Sequence, residues 1–481
     1  MIKTLVKNKI IVYLATRYGT YAIQFILSMV IAARLGPYYL GIYGFVNLII
    51  SYFGQINFGI PHSLNVLLVH HKDDRNLCCN YTGNALWLYG ILCGIVIVLY
   101  VVVKLFNIQI NNDYPIDNYL LPITAIAILT YINAILTTVL RVRNKVNQLT
   151  VVQSLSVILN LCVVFVFNGE FLILALLITN LLACILTVLI SLSANVIPRI
   201  SEVCLSKTIQ KEIINKGFYL FLYNSCFYFI LISIRTIISG NYAVEEFGAF
   251  TFSFTIANAV MLLLESLMTI IFPKIIDLLS SDNHEQIERT LENMRLGYVS
   301  TSHLLIYVAM LFFPLLVYLL PKYSNAITSM NLIALAVLMN TISCGYTSLL
   351  IAQNKEKTAA KISFFSLVLN IILGLLLVDV FKVEFSFVII ATLLTYLFFS
   401  YMSFWKGRTI LSKPSFMSTL KMFFPIRLLI PYVCAFLISI LKLEYLIWIP
   451  LMSYLTFNRK DIKSMKEMVL KIINNPKIAD I

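Results

Sequence analysis

The chain has 481 residues, 60% of them hydrophobic and only 12% charged, with a mean hydropathy of +0.89 and a formal charge of +14. Soluble domains carry about 25% charged residues, so a soluble enzyme is excluded, and the apolar content is enough for some fourteen helical spans of about 20 residues each. Lys and Arg recur between apolar runs instead of clustering on one solvated face, which excludes nucleic-acid binding and leaves an all-α, polytopic helical membrane protein.

A basic stretch from Met1 to Lys9 leads into an apolar run with no small-residue cleavage site at its end, the pattern of an uncleaved first span. Six runs predict spans: Ile10 to Ala33, Ile42 to Ile60, Gly83 to Val103, Tyr119 to Leu140, Leu149 to Phe167 and Phe171 to Leu192. Six more follow a polar stretch: Phe218 to Ile238, Phe250 to Phe272, Tyr298 to Leu320, Ile327 to Ile351, Ile362 to Val380 and Phe385 to Trp405. A final pair, Leu428 to Leu441 and Tyr445 to Phe457, is short and proline-bearing, giving 12 to 14 transmembrane helices. The division expected is a six-helix half over 1–195, a cytoplasmic link over 196–217, a second half over 218–405, an extra helix pair over 406–457 and a basic amphipathic tail over 458–481.

With both termini cytoplasmic, the inner loops and tails hold 29 Lys and Arg and the outer loops 5, the asymmetry of the positive-inside rule. Asp282 with Glu285 resembles a capping box opening a cytoplasmic helix toward Arg295. Ile462, Met465, Val469 and Ile472 form an apolar stripe in the Lys-rich tail, suited to the inner membrane face. The nine cysteines lack CxxC or Cys/His metal spacing and mostly lie in apolar runs, so neither disulfides nor a metal are expected. His62, His70 and His71 offer no third ligand at a spacing useful for a metal. No P-loop, Gly-rich nucleotide site or soluble Ser/His/Asp arrangement occurs, which disfavours ATP hydrolysis, extramembrane catalysis and any cofactor.

Away from the span ends, three charges fall inside the spans: Arg17, Arg235 and Glu265. A charge at the bilayer centre costs at least about 2.5 kcal/mol and faces a cavity or a partner. Arg17 lies roughly 12 Å past Lys9 at 1.5 Å per residue, with Tyr13, Thr20, Tyr21, Gln24 and Ser28 on its face. Asn47, Ser51 and Gln55 recur every four residues on span two. Span seven offers Asn224, Tyr228 and Arg235, and span eight Asn258 and Glu265. Four polar-striped spans, paired one-two and seven-eight, predict two halves around a central cavity. Packing between helices, which uses the same small polar residues, is the simpler alternative, and for Arg235 so is snorkelling to the outer surface. Glu265, roughly 14 Å from Lys274, lies at a depth similar to Arg17 and is the candidate for ion coupling. Spans three, five, six and eleven are almost wholly aliphatic and fit the lipid-facing periphery. Leu40 to Phe45 and Phe247 to Phe252 open spans two and eight alike, where a six-span duplication would place them.

Arg34-Leu35-Gly36-Pro37-Tyr38-Tyr39-Leu40-Gly41-Ile42-Tyr43, followed by Asn57-Phe58-Gly59-Ile60, resembles the polysaccharide-repeat (O-antigen/oligosaccharide, Wzx-type) flippases of the multidrug/oligosaccharidyl-lipid/polysaccharide exporter superfamily. One residue is missing between Arg34 and Leu35 relative to that family's turn, and Asn57 stands where an acid is frequent. Ile238-Ser239-Gly240 through Phe247-Gly248-Ala249-Phe250 resembles the family's second-half counterpart. The resemblance implies a MATE-like, V-shaped fold that moves an undecaprenyl-diphosphate-linked oligosaccharide from the inner to the outer leaflet of the bacterial cytoplasmic membrane by alternating access. Surface polysaccharide assembly, as O-antigen or capsule, would be its purpose, with H+ or Na+ as a coupling ion and a polysaccharide polymerase as a partner. Arg17 and Arg235 would take the diphosphate, because a guanidinium binds phosphate oxygens bidentately, and Gln24, Asn47, Ser51, Gln55, Asn224, Tyr228 and Asn258 would face sugar hydroxyls. The rivals are an ion-coupled small-molecule antiporter of the same fold, a lipid II-type flippase, and a membrane glycosyltransferase. The last is disfavoured because the longest outer loop, Lys104 to Asn118, has only Asp113 and Asp117 as acids.

Overall fold

Helices form wherever the sequence carries an apolar run, because a backbone in hydrocarbon must satisfy its N–H and C=O groups internally. The computed structural model describes residues 9–71, 74–109, 111, 113–281, 283–411, 419, 422–423 and 425–463, and the side chains within these except 9–17, 146, 200, 261, 263–274, 277 and 296. No strand occurs among the described residues.

In chain order the helices are α1 (Lys9–Gln55), α2 (Ile60–His70), α3 (Arg75–Leu105), α4 (Leu120–Val142), α5 (Val146–Val164), α6 (Gly169–Ser193), α7 (Lys207–Asn241) and α8 (Val244–Leu279). They continue as α9 (His284–Met294), α10 (Ser300–Leu319), α11 (Ile327–Thr341), α12 (Cys344–Ala352), α13 (Glu356–Leu375), α14 (Ile390–Leu411), α15 (Ile426–Ile440) and α16 (Trp448–Phe457). Among the described residues nine helices are long and apolar enough to cross a membrane, or ten if α11 and α12, bent by 41°, make one span. The first two predicted spans share α1, which is broken at Gly36 (φ 68°, ψ 172°) ahead of Pro37. Span two was expected to run to Ile60. It stops at Gln55, because Gly59 is left-handed (φ 71°) and Pro61 opens a separate helix.

The described residues pack as two compact units. The first comprises Leu27–Tyr228 and Tyr242–Gly248; the second comprises the described residues up to Ile26, Phe229–Asn241 and those from Ala249 onward.

In the first unit α4 is the hub, packing on α2, α3, α5 and α6, with Leu64, Leu67, Tyr89, Tyr131, Ile135 and Leu140 in its core. The aliphatic face of α3, including Ile91, Ile95 and Val98, stays exposed, as a lipid-facing surface requires. The segment after α6 is docked on α3. Asn84, fully buried, donates to the Cys204 carbonyl (2.9 Å) and accepts from the Ser206 amide (3.0 Å) and Gln210 Nε2 (3.2 Å). Asn80 Oδ1 accepts from the Cys204 amide (2.8 Å), Tyr81 donates to Glu212 (3.0 Å), and Arg75 pairs with Glu202 (3.2 Å). The predicted link is therefore held along its length, by a polar face of α3 that a span read as aliphatic did not advertise.

In the second unit α11 is the hub, packing on α10, α14 and α15. The terminal pair α15–α16 docks on α10 and α11 through a polar cluster: Arg427 pairs with Asp461 (2.7 Å), Ser300 Oγ donates to the same carboxylate (3.2 Å), and the Tyr454 hydroxyl donates to the Ser300 carbonyl (2.8 Å). Neither α15, with 15 residues, nor α16, with 10, reaches the roughly 20 that a straight span needs. Asn283 caps α9, its Oδ1 accepting from the amides of Glu285 and Gln286. The cap is thus Asn283, whose side chain takes the Glu285 amide that the expected box gave to Asp282; Asp282 itself lies outside the described residues. Of the tail stripe only Ile462 is described.

Candidate functional site

The glycines of the two sequence motifs meet within the first unit. A Cβ on Gly41 would run into the Val244 carbonyl, and one on Gly248 into the Pro37 carbonyl and, at 3.0 Å, the Gly41 amide. The start of α8 thus crosses α1 backbone to backbone, the close approach that small residues permit between membrane helices. Arg34 Nη1 donates to Asn168 Oδ1 at 3.1 Å, fastening the same turn to the start of α6. Farther along, Asn57 Oδ1 accepts from the Gly59 amide (2.9 Å) and its Nδ2 donates to the Gly54 carbonyl (3.1 Å), closing the turn between α1 and α2. A Cβ on Gly59 would lie 2.7 Å from the Phe221 Cβ of α7.

On α1 of the same unit, Asn47 Nδ2 donates to the Tyr43 carbonyl (2.8 Å) and Ser51 Oγ to the Asn47 carbonyl (2.7 Å). Asn47, Ser51 and Gln55 are half-buried. On α7, Asn224 and Tyr228 are exposed, with Tyr219 exposed on the same helix. An exposed amide within a membrane helix is stable only where water or a polar ligand reaches it.

The second unit holds Gln24, Arg235, Asn258 and Glu265 of the candidates, together with Arg17. Arg17 and Glu265 lie on helical backbone, and their side chains are outside the described residues. Gln24 is exposed and Asn258 half-buried. Arg235 is 8% exposed and its guanidinium lies 5.0 Å from the centre of the Phe254 ring. This corrects the snorkelling alternative: the side chain is packed inward on an aromatic face, which favours the planar cation of arginine.

Two residues that sequence reading passed over position that helix. Asn370 on α13, fully buried, donates to the Ile230 carbonyl (2.7 Å) and to Ser233 Oγ (2.9 Å) of α7. One turn on, a Cβ at Gly374 would press to 2.7 Å on Ile237. Span eleven, expected at the aliphatic periphery, therefore carries a polar anchor for the segment bearing Arg235. The available signal was a lone Asn four residues before a Gly in an otherwise apolar run. Other polar groups link helices: Asn133 donates to the Cys184 carbonyl (3.2 Å) and Thr179 to Asn160 (2.6 Å).

No group of three or more His, Cys, Asp or Glu able to hold a metal occurs among the described residues. Outside the spans, the Glu202 carboxyl is held below its ordinary range, first by the Arg199 amide and then by the charge of Arg75.

Residues 6–279 match the model of a family described as polysaccharide biosynthesis protein. The chain belongs to this family. No curated protein matches its sequence. Among solved structures it is similar to a lipid II flippase, MurJ, in an inward closed conformation (TM-score 0.70, 13% identity, covering 96% of this chain and 100% of that one). It is also similar to a multidrug resistance MATE family transporter of the MOP superfamily, inward-facing (TM-score 0.66, 13% identity, 84% and 98% covered) and outward-facing (0.60, 15%, 84% and 95%). At such identities the likeness establishes the fold: a multi-pass, all-helical membrane protein of MATE and MurJ type.

Proposed function

We propose that this polysaccharide biosynthesis protein is a flippase that carries an undecaprenyl-diphosphate-linked oligosaccharide repeat from the inner to the outer leaflet of the bacterial cytoplasmic membrane, by alternating access, for surface polysaccharide assembly. The observation that carries this reading is family membership in a chain whose fold is shared with a protein named as a lipid II flippase. Arg235 adds chemical support: it is a buried guanidinium on an aromatic face, and a charge inside a membrane span is costly and marks substrate or ion pathways. In this reading Arg235 and Arg17 engage the diphosphate. Gln24, Asn47, Ser51, Gln55, Asn224, Tyr228 and Asn258 hydrogen-bond sugar hydroxyls, and Glu265 couples transport to H+ or Na+. The 29 to 5 division of basic residues supports cytoplasmic termini, and a polysaccharide polymerase would consume the delivered substrate.

The second reading is a peptidoglycan-precursor flippase, favoured by the likeness to the lipid II flippase fold. The two differ in the sugar they take. Deleting the gene in a strain without a redundant flippase should leave lipid-linked repeat units on the inner leaflet and remove surface polysaccharide while peptidoglycan synthesis continues. Arrested peptidoglycan synthesis with unchanged surface polysaccharide would select the second reading.

A further inference from the structure

A cavity of about 470 Å³ opens in the first unit, where the start of α3 meets the ends of α4 and α6. Its volume falls within the roughly 300–1,000 Å³ of small-ligand sites. Arg75, Arg143 and Lys145 line it against apolar walls from Leu68, Val139 and Val142, and among the described residues none that lines it is acidic. Two left-handed residues, Asn144 (φ 54°) and Asn195 (φ 53°), turn the chain at the ends of α4 and α6. There Arg143 Nη1 donates to the Asn195 carbonyl at 2.9 Å, one of five donors on the guanidinium. Arg75 is partly neutralised by Glu202 at 3.2 Å, so among the described lining residues Arg143 and Lys145 leave the cavity net positive. Basic pockets between membrane helices, with an apolar wall alongside, suit a phosphate headgroup whose glycerol and chains continue along the wall.

We infer that this cavity seats the phosphate headgroup of an anionic bilayer lipid, such as phosphatidylglycerol, separately from the substrate site proposed above. A sugar-bearing lipid fits it less well, because the uncharged polar side chains there are few. The Thr82 hydroxyl is engaged with the Cys78 carbonyl at 2.8 Å, which leaves the Asn195 amide and the Cys78 thiol as the other uncharged polar side chains of the lining. The inference does not depend on the transported substrate, since it concerns lipid retention alone.

The test measures lipid binding to the purified full-length protein by native mass spectrometry. The probes are phosphatidylglycerol and phosphatidylcholine with identical chains, and inorganic phosphate as competitor. Phosphatidylglycerol should bind at least about tenfold more tightly than phosphatidylcholine, and Arg143→Gln with Lys145→Gln should weaken it about tenfold or more, as loss of two surface cations predicts. Lys355→Gln with Lys357→Gln, an equal charge loss elsewhere, should change nothing. Lys145→Glu alone repeats the test on an exposed side chain should the double variant misfold. Unchanged phosphatidylglycerol affinity in the cavity variants, or an equal loss in the control, overturns the site. Full displacement by millimolar phosphate, or selective retention of a lipid-linked sugar in place of phosphatidylglycerol, overturns the assigned occupant.

Discussion

At Arg235, burial, an aromatic neighbour and a cost that lipid does not offset converge on one side chain. A hydrogen bond to a charged partner contributes about 1.5–3 kcal/mol, so Arg235→Ala should cut translocation about ten- to hundredfold in proteoliposomes with folding intact. Arg235→Lys should recover part of this, since the charge remains but the planar stack on Phe254 and the bidentate fork do not. Equal activity of all three proteins would remove Arg235 from the mechanism. The motif glycines yield a different kind of prediction. Gly248→Ala and Gly41→Ala insert a methyl group where backbone atoms already touch, and each should lower stability by about 1–3 kcal/mol, read as a lower unfolding midpoint in detergent. Unchanged midpoints would show that α1 and α8 can separate at that crossing. Residue identity was legible from sequence where it broke the apolar pattern: Arg235 stood out as a charge in a span. Its direction was not, because a helix position alone does not say whether an arginine five residues from a span end points outward or packs on Phe254.

Between elements, the two informative contacts are α13 on α7 and the 200–212 segment on α3. Asn370→Ala removes both bonds to α7. Single side-chain bonds between membrane helices average about 0.6 kcal/mol and reach about 1.7, so a loss of about 1–2 kcal/mol is expected, with weakened translocation following from displacement of Arg235. The link offers a pH-dependent readout. The folded Glu202 carboxyl titrates below its ordinary value of 4.5. The contribution of Glu202 to docking is therefore full above that pH and is lost as pH falls through the folded value, while the bonds of Asn80, Tyr81 and Asn84 remain. The hydrogen-exchange protection of residues 200–212, corrected for the intrinsic pH dependence of amide exchange, should fall in the acid range in the wild type, whereas Glu202→Gln should be less protected already at neutral pH with a flatter acid response. Identical profiles for the two proteins would show that Glu202 does not hold the segment. These contacts escaped the sequence because spacing predicts the face of a helix and not its partner. Asn80, Tyr81 and Asn84 sit near the start of a span whose remainder is aliphatic, and their role appears only once 202–212 folds back on them.

For the whole molecule, composition and the run of apolar segments fixed an all-helical, multi-pass protein, and short motifs around Gly36, Gly41 and Gly248 pointed to its family. The hydrophobic effect and backbone satisfaction in lipid leave few alternatives at that level. Breaks inside helices were less legible. The stop at Gln55 depends on Gly59 adopting a left-handed conformation against Phe221, and the bend between α11 and α12 interrupts a run that hydropathy reads as continuous. In the proposed orientation the basic residues divide 29 against 5, so substrate chemistry rests on the few charges inside the spans. Whether this chain moves lipid-linked oligosaccharide across the bilayer is read from the leaflet position of that lipid in cells lacking the protein. Accumulation on the inner leaflet, reversed by the wild-type protein and not by Arg235→Ala, is the predicted result. Normal delivery to the outer leaflet, with surface polysaccharide unchanged and no second flippase present, would contradict it.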